Sequence, residues 1–304
     1  MIDRLMNRIE RMANPTAVGL DPTYEMMPDA IKKEMIERYG KTTKAVSKMF
    51  LRFNQEIIDH VCDLVPAVKL QIAMYEQYGI DGLQAYMETV THARKKGLIV
   101  IGDIKRGDIS STAAAYAAHI GGVEIEGTRF DVWNEDAVTL NPYMGFDGVE
   151  PFLAPCNEYD KGVFILVKTS NPSGKELQDL VADGMPVYEH AALLAARWGE
   201  QAMGENGYSK VAAVVGATYK EQGEELRKKM PHTFFLVPGY GAQGASGKDI
   251  RGYFDRDGKG CIVNSSRGII AAYKKDPKYG DHNFAEAARE AVLLMKNDLG
   301  GVLR

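Results

Sequence analysis

Leu98-Ile99-Val100-Ile101-Gly102-Asp103-Ile104-Lys105-Arg106-Gly107-Asp108 is an apolar run that turns abruptly into two carboxylates and a lysine. Its first four residues read as a buried strand. Behind it, Ser110-Ser111-Thr112 and the alanine-rich run Ala113 to Ala118 read as a capped helix. On an extended chain Asp103 and Lys105 are two apart and share a face, about 7 Å from one another. Asp108 lies beyond a glycine bend, close to the start of the helix. A plain ion pair accounts for most Asp-x-Lys pairs. Here the charges stand at the C-terminal end of a strand that leads into a helix, where parallel α/β sheets carry their chemistry.

The same unit recurs on both sides. Apolar runs stand at Ala17-Val18-Gly19-Leu20, Ala67-Val68-Lys69-Leu70, Leu98 to Ile101 and Ala137-Val138-Thr139-Leu140. They continue at Val163-Phe164-Ile165-Leu166-Val167, Val211 to Val215, Phe234-Phe235-Leu236-Val237 and Cys261-Ile262-Val263. Helical patterns follow seven of them, and Phe284 to Leu299 follows the eighth. Continuous apolar strands alternating with helices imply a parallel sheet buried on both faces. Eight units imply a closed (β/α)8 TIM barrel with insertions, as a single domain over residues 1–304. An open doubly wound sheet is the alternative, but no GxGxxG follows the first strand. Residues 22–40, 120–135, 141–160 and 171–209 read as irregular connections, with a helix near Val187 to Met203 in the last.

Composition narrows the class. The 304 residues are 45% apolar and 26% charged, ordinary for a chain with a substantial core. A net charge of −4 offers no basic footprint for nucleic acid. Cys62, Cys156 and Cys261 are scattered and odd in number, which fits a reducing cytoplasm better than a disulfide framework or a zinc knuckle. Met1 to Met12 is amphipathic and charged, unlike a signal peptide, and no apolar run is long enough to span a membrane. The six histidines show no metal-ligand spacing, so no metal is expected.

In a barrel the reactive groups come from the C-terminal ends of several strands. Those ends read Asp21-Pro22, Lys69, Asp103 with Lys105, Asn141-Pro142, Lys168-Thr169-Ser170-Asn171-Pro172 and Gly216-Ala217-Thr218. The last two read Pro238-Gly239-Tyr240-Gly241-Ala242-Gln243-Gly244 and Asn264-Ser265-Ser266-Arg267-Gly268. Among them, two lysines, Lys69 and Lys105, and two carboxylates, Asp21 and Asp103, converge on one mouth. The seventh and eighth ends are where barrels bind phosphate: glycines allow close backbone approach and an arginine grips the anion in two places.

These motifs together resemble the orotidine 5′-monophosphate decarboxylase family in its longer bacterial form, and the match covers all but the two ends of the chain. The resemblance implies a (β/α)8 barrel acting as a homodimer with shared sites, and a decarboxylation without metal or cofactor. It implies a catalytic array of Lys69, Asp103, Lys105 and Asp108, with Asp108 supplied by the partner subunit. Lys105 would deliver a proton to C6 of the pyrimidine of orotidine 5′-monophosphate as carbon dioxide leaves. Asp103 would face the substrate carboxylate, and Lys69 would hold the ribose and Asp103. Asp21 and, from the partner, Thr112 match ribose contacts; Ser170 matches a pyrimidine contact. Pro238 belongs with the substrate-binding set, and Gln243 and Arg267 match the phosphate clamp. Asn141 and Lys168 receive no role, and nothing carries over to the insertions. Three other readings compete. A metal-dependent sugar-phosphate decarboxylase of the same superfamily would have glutamate in place of Lys69. A Schiff-base aldolase would need a neutral lysine, and a nucleotide-binding protein without activity need not keep the charged array.

Overall fold

The computed structural model describes residues 1–241 and 244–303. Eight parallel strands close into a barrel: β1 Thr16–Gly19, β2 Ala67–Gln71, β3 Ile99–Arg106, β4 Ala137–Leu140, β5 Gly162–Lys168, β6 Ser209–Val215, β7 Thr233–Pro238 and β8 Cys261–Ser265. All eight expected strands are present, in sequence order round the barrel, with β8 closing on β1 through Thr16↔Val263.

Alternation along each strand builds two apolar layers. Ala17, Ala67, Ile101, Ala137, Phe164, Ala212, Phe234 and Ile262 fill the barrel interior, whereas Val18, Val68, Val100, Val138, Val163, Val211, Phe235 and Val263 face the surrounding helices. Met1, Ile2 and Leu5, from the helix Ile2–Met12, join the interior group and plug the barrel where the strands begin. That segment is a structural cap, as its amphipathic pattern allows.

The connections depart from the sequence reading in several places. Residues 22–40 are largely helical, with a helix at Asp29–Tyr39 that buries Ile31 and Met35. The 120–135 stretch carries an exposed hairpin, Val123–Ile125 against Thr128–Phe130. The expected helix after β5 runs Val187–Gly199, and that after β8 runs Phe284–Leu303. The crossover after β7 is only the short helix Gly247–Ile250 and a single 3-10 turn. The helix after β3 runs Ser110–Gly121 but lacks the expected hydroxyl cap: Ile109 holds the cap position, and Ser110 has φ 52° in the first turn. Among the described residues no helix is long and apolar enough to cross a membrane. All three cysteines are free.

Candidate active site

Strand β3 does not end where its apolar run ends; it continues through Asp103 and Lys105 to Arg106. Its pairing with β4 slips there, Gly102 lying opposite Val138 and Arg106 opposite Leu140. Two extra residues therefore bulge from β3, and Lys105 sits at φ 48°, a left-handed conformation that non-glycine residues rarely adopt. Such strain, on the order of 1–3 kcal/mol, persists only where neighbours impose it, and it clusters at functional sites. The neighbour is Thr139 in β4. Its hydroxyl accepts the Lys105 backbone N–H at 3.0 Å and donates to Asp103 Oδ1 at 2.9 Å.

Asp103 is gripped on both oxygens. Lys69 Nζ donates to Oδ2 at 3.0 Å, and Lys105 Nζ donates to Oδ1 at 2.5 Å. Gln71 Nε2 adds a 3.0 Å bond to Oδ2. The Lys69 ammonium also lies 3.2 Å from Asp21 Oδ1. Asp21 in turn accepts the Gln71 backbone N–H at 3.1 Å and the Ser266 hydroxyl at 2.6 Å. One chain of charge and hydrogen bonds therefore runs from the β8 loop through Asp21 and Lys69 to Asp103 and Lys105.

Burial and pairing oppose each other in this chain, and pairing wins. Burial alone would raise the Asp103 carboxyl, but Lys69 and Lys105 outweigh it and hold it well below the usual carboxylate range. Burial would likewise lower Lys69, yet Asp103 and Asp21 hold its ammonium well above the usual lysine range. Both directions describe the same favoured state, an ionised lysine–aspartate pair.

Beside this wall lies a 360 Å3 cavity. It is lined by Lys69, Asp103, Lys105 and Thr139 on one side, and by Leu166, Val214, Leu236, Thr169, Ser170, Asn171 and Pro238 on the other. The apolar floor lowers the local dielectric, which strengthens any charge–charge interaction made against it.

The expected site residues thus divide into groups. Lys69, Asp103, Lys105 and Asp21 form one cluster, and Ser170 and Pro238 line the cavity beside it. Asp108 and Thr112 do not join the cluster of their own chain. The Asp108 carboxylate accepts the Ile109 backbone N–H at 2.8 Å, and no ion pair links it to Lys105 among the described residues. Thr112 is exposed in the first turn of the following helix. Arg267 begins the short helix Arg267–Ile270 directly after β8, with its side chain exposed at the mouth. Beside it, after the paired strand β7, Gly239, Gly241 and Gly244 take φ values of 107°, 71° and 92°, which only glycine adopts without strain. Gln243 lies outside the described residues. Thr139, Gln71 and Ser266 had no assigned role in the sequence; Ser266 stood within the eighth strand-end motif, and the signal for Thr139 was a hydroxyl inside the otherwise apolar run Ala137 to Leu140. Among the described residues, no three His, Cys, Asp or Glu side chains gather as a metal-binding group.

A closed parallel barrel with a lysine–aspartate array at the strands' C-terminal mouth defines a (β/α)8 enzyme whose chemistry is built on fixed charge. Residues 16–279 match the model of the orotidine 5′-phosphate decarboxylase / HUMPS family, and the chain belongs to that family. An orotidine 5′-phosphate decarboxylase of Rhodopirellula baltica is 44% identical over 297 residues, covering 96% of each chain. That of Petrotoga mobilis is 45% identical over 302 residues, covering 98% of each. Among solved structures, the OMP decarboxylase of Leishmania donovani superposes with a TM-score of 0.71 at 29% identity, covering 97% of this chain and 98% of that one.

Proposed function

We propose that this protein decarboxylates orotidine 5′-monophosphate to uridine 5′-monophosphate, a step of pyrimidine biosynthesis, through the Lys69–Asp103–Lys105 array and without a metal or cofactor. The array carries this reading. Loss of carbon dioxide leaves the electron pair of the broken C6–carboxylate bond on a ring carbon, so positive charge must already stand beside C6. An ammonium held by a carboxylate over an apolar floor meets that need, because it need not reorganise as charge develops. The Lys105 ammonium gives a proton to C6 as the bond breaks and regains one from water. Asp103, at 10% side-chain exposure, keeps the ammonium in place and faces the departing carboxylate. Lys69 and Asp21 take the ribose, Ser170 and Pro238 the pyrimidine, and Arg267 with Gln243 the phosphate. Phosphate binding far from C6 lowers the barrier when it helps to order the closed site.

The working unit in this reading is a homodimer in which Asp108 and Thr112 complete the neighbour's site. Support comes from the surface beside them: Ile109, Tyr143 and Met144 are large apolar side chains exposed by 48%, 79% and 48%. Residues 1–304 then form one domain, and three free cysteines fit a cytoplasmic location.

Purified protein should consume orotidine 5′-monophosphate, followed by its loss of absorbance, with EDTA having no effect. Lys105→Ala should remove the proton donor and the charge together, a loss of several kcal/mol at 1.36 per tenfold in rate. Near-normal turnover in that variant would overturn the mechanism.

A further inference from the structure

Lys168 is one of the most deeply buried charged side chains of the protein, at 1% exposure, and the proposed chemistry does not use it. It ends β5, two residues before Ser170. Simple alternation from Leu166 would aim it into the cavity. Instead β5 carries one extra residue against β6, Leu166 lying opposite Val214 and Lys168 opposite Val215. A bulge of this kind re-aims the side chain that follows it. The Lys168 ammonium therefore meets the Asp179 carboxylate and stands 5.0 Å from the centre of the Tyr188 ring and 4.7 Å from that of Tyr219. Two aromatic faces and a carboxylate make a cage suited to a buried cation.

What the cage holds is the loop between β5 and its helix. Thr169, Ser170 and Asn171 line the cavity as that loop leaves the strand. It then makes a 3-10 turn at Pro172–Gly174 and a single helical turn at Lys175–Gln178, and comes back. Gln178 closes it: its Oε1 accepts the Thr169 backbone N–H at 3.0 Å, and its Nε2 donates to Thr169 Oγ1 at 2.6 Å. Thr169 Oγ1 donates to Asn171 Oδ1 at 2.6 Å. Asp179, the next residue, is anchored on Lys168. One further bond, from Thr218 Oγ1 to the Ser170 carbonyl at 3.3 Å, reaches the start of the loop; its outer part is less buried, with Leu177 and Leu180 exposed by 53% and 54%.

We propose that Lys168 is a positioning residue for the reaction: through Asp179 it tethers the 169–179 loop, and so holds Ser170 and Asn171 at the cavity wall in the geometry that receives the pyrimidine. This rests on the decarboxylase reading above. Ser170 and Asn171 sit on the opposite wall from Lys105, so the tether governs binding of the ring rather than the proton transfer. Loss of the tether should then raise KM and leave kcat nearly unchanged, the signature of lost uniform binding.

The test is Asp179→Asn, at a residue whose side chain is only 34% exposed but lies at the loop's outer end. The expected result is a KM for orotidine 5′-monophosphate raised about tenfold or more, with kcat within about threefold of the parent. Hydrogen exchange should quicken over residues 171–180 and stay slow in Val163–Val167, and Asp179→Glu should restore most of the affinity. A merely structural role would speed exchange throughout the chain and leave the KM of the folded fraction unmoved. If Asp179→Asn does not fold, Lys168→Met with Asp179→Leu removes the tether without stranding a charge and carries the same expectation. Unchanged KM and loop exchange, or a loss confined to kcat, would overturn the tether. An inactive parent protein would overturn the decarboxylase reading instead.

Discussion

At the scale of single residues, Thr139 does the most with the least. One hydroxyl accepts the backbone N–H of a strained lysine and donates to the carboxylate that the same lysine binds, at 3.0 and 2.9 Å. Valine has nearly the same shape and keeps the packing, but it leaves that N–H unpaired and frees one side of Asp103. Thr139→Val should cost about 1–3 kcal/mol of organised geometry. The rate should fall about tenfold or more, seen mainly in kcat because Lys105 is the group released. A variant with full kcat would show that Lys105 finds its place without the bridge.

At the scale of an element, β3 is the strand on which the site depends, and its course is set from beneath as well as from the side. Gly102, directly before Asp103, packs against Glu135, which is fully buried and takes hydrogen bonds from Tyr86 and His119. A Cβ at position 102 would stand 2.1 Å from Glu135 Oε1 and 2.9 Å from the Tyr86 hydroxyl. Glu135 is held from both sides and has little room to retreat. Gly102→Ala should therefore destabilise the fold by about 1–3 kcal/mol, read as a lower urea midpoint at unchanged slope. It should also shift Asp103 and depress activity. A stable, fully active Gly102→Ala protein would mean that β3 tolerates displacement at its most crowded point.

At the scale of the whole molecule the array couples stability to pH. Asp103 titrates below its ordinary 3.8 in the folded protein, so its contribution is complete above that value and is lost as pH falls through the depressed one. Lys69 titrates above its ordinary 10.5, so its contribution is complete below that value and is lost as pH rises through the raised one. The pair should leave stability flat between about pH 5 and 9 and erode it below about pH 4. Asp103→Asn should flatten that acid slope in urea midpoints measured against pH; an unaltered slope would remove Asp103 from the linkage. The proposed dimer offers the second whole-molecule test. If Asp108 serves the neighbour's site, mixing Lys105→Ala protein with Asp108→Asn protein puts both defects into one site of each hybrid and leaves the other site intact. Random exchange makes about half the dimers hybrid, so roughly a quarter of parental activity should return from two nearly inactive proteins. No recovery, with subunit exchange confirmed by mass spectrometry, would place Asp108 in its own barrel.

Much of this protein was determined locally along its sequence. Each of the eight strands is a short apolar run whose inward and outward residues both meet hydrophobic neighbours, so the strand count and the closed barrel were legible from patterning alone. The mouth residues Asp21, Lys69, Asp103 and Lys105 were legible for a related reason: a charge that ends an apolar strand has few places to go but the mouth. What needed the tertiary structure were the features that depend on register between strands. The bulges at Lys105 and Lys168 arise from slippage against β4 and β6, and no spacing within β3 or β5 encodes them. Thr139 acquires its role only because β4 pairs beside β3 at that bulge, and Asp179 only because its loop folds back onto Lys168. Patterning along a chain records which face each residue prefers. Which side chains then meet is decided by pairing between segments far apart in sequence, and the chemistry of this site rests on those meetings.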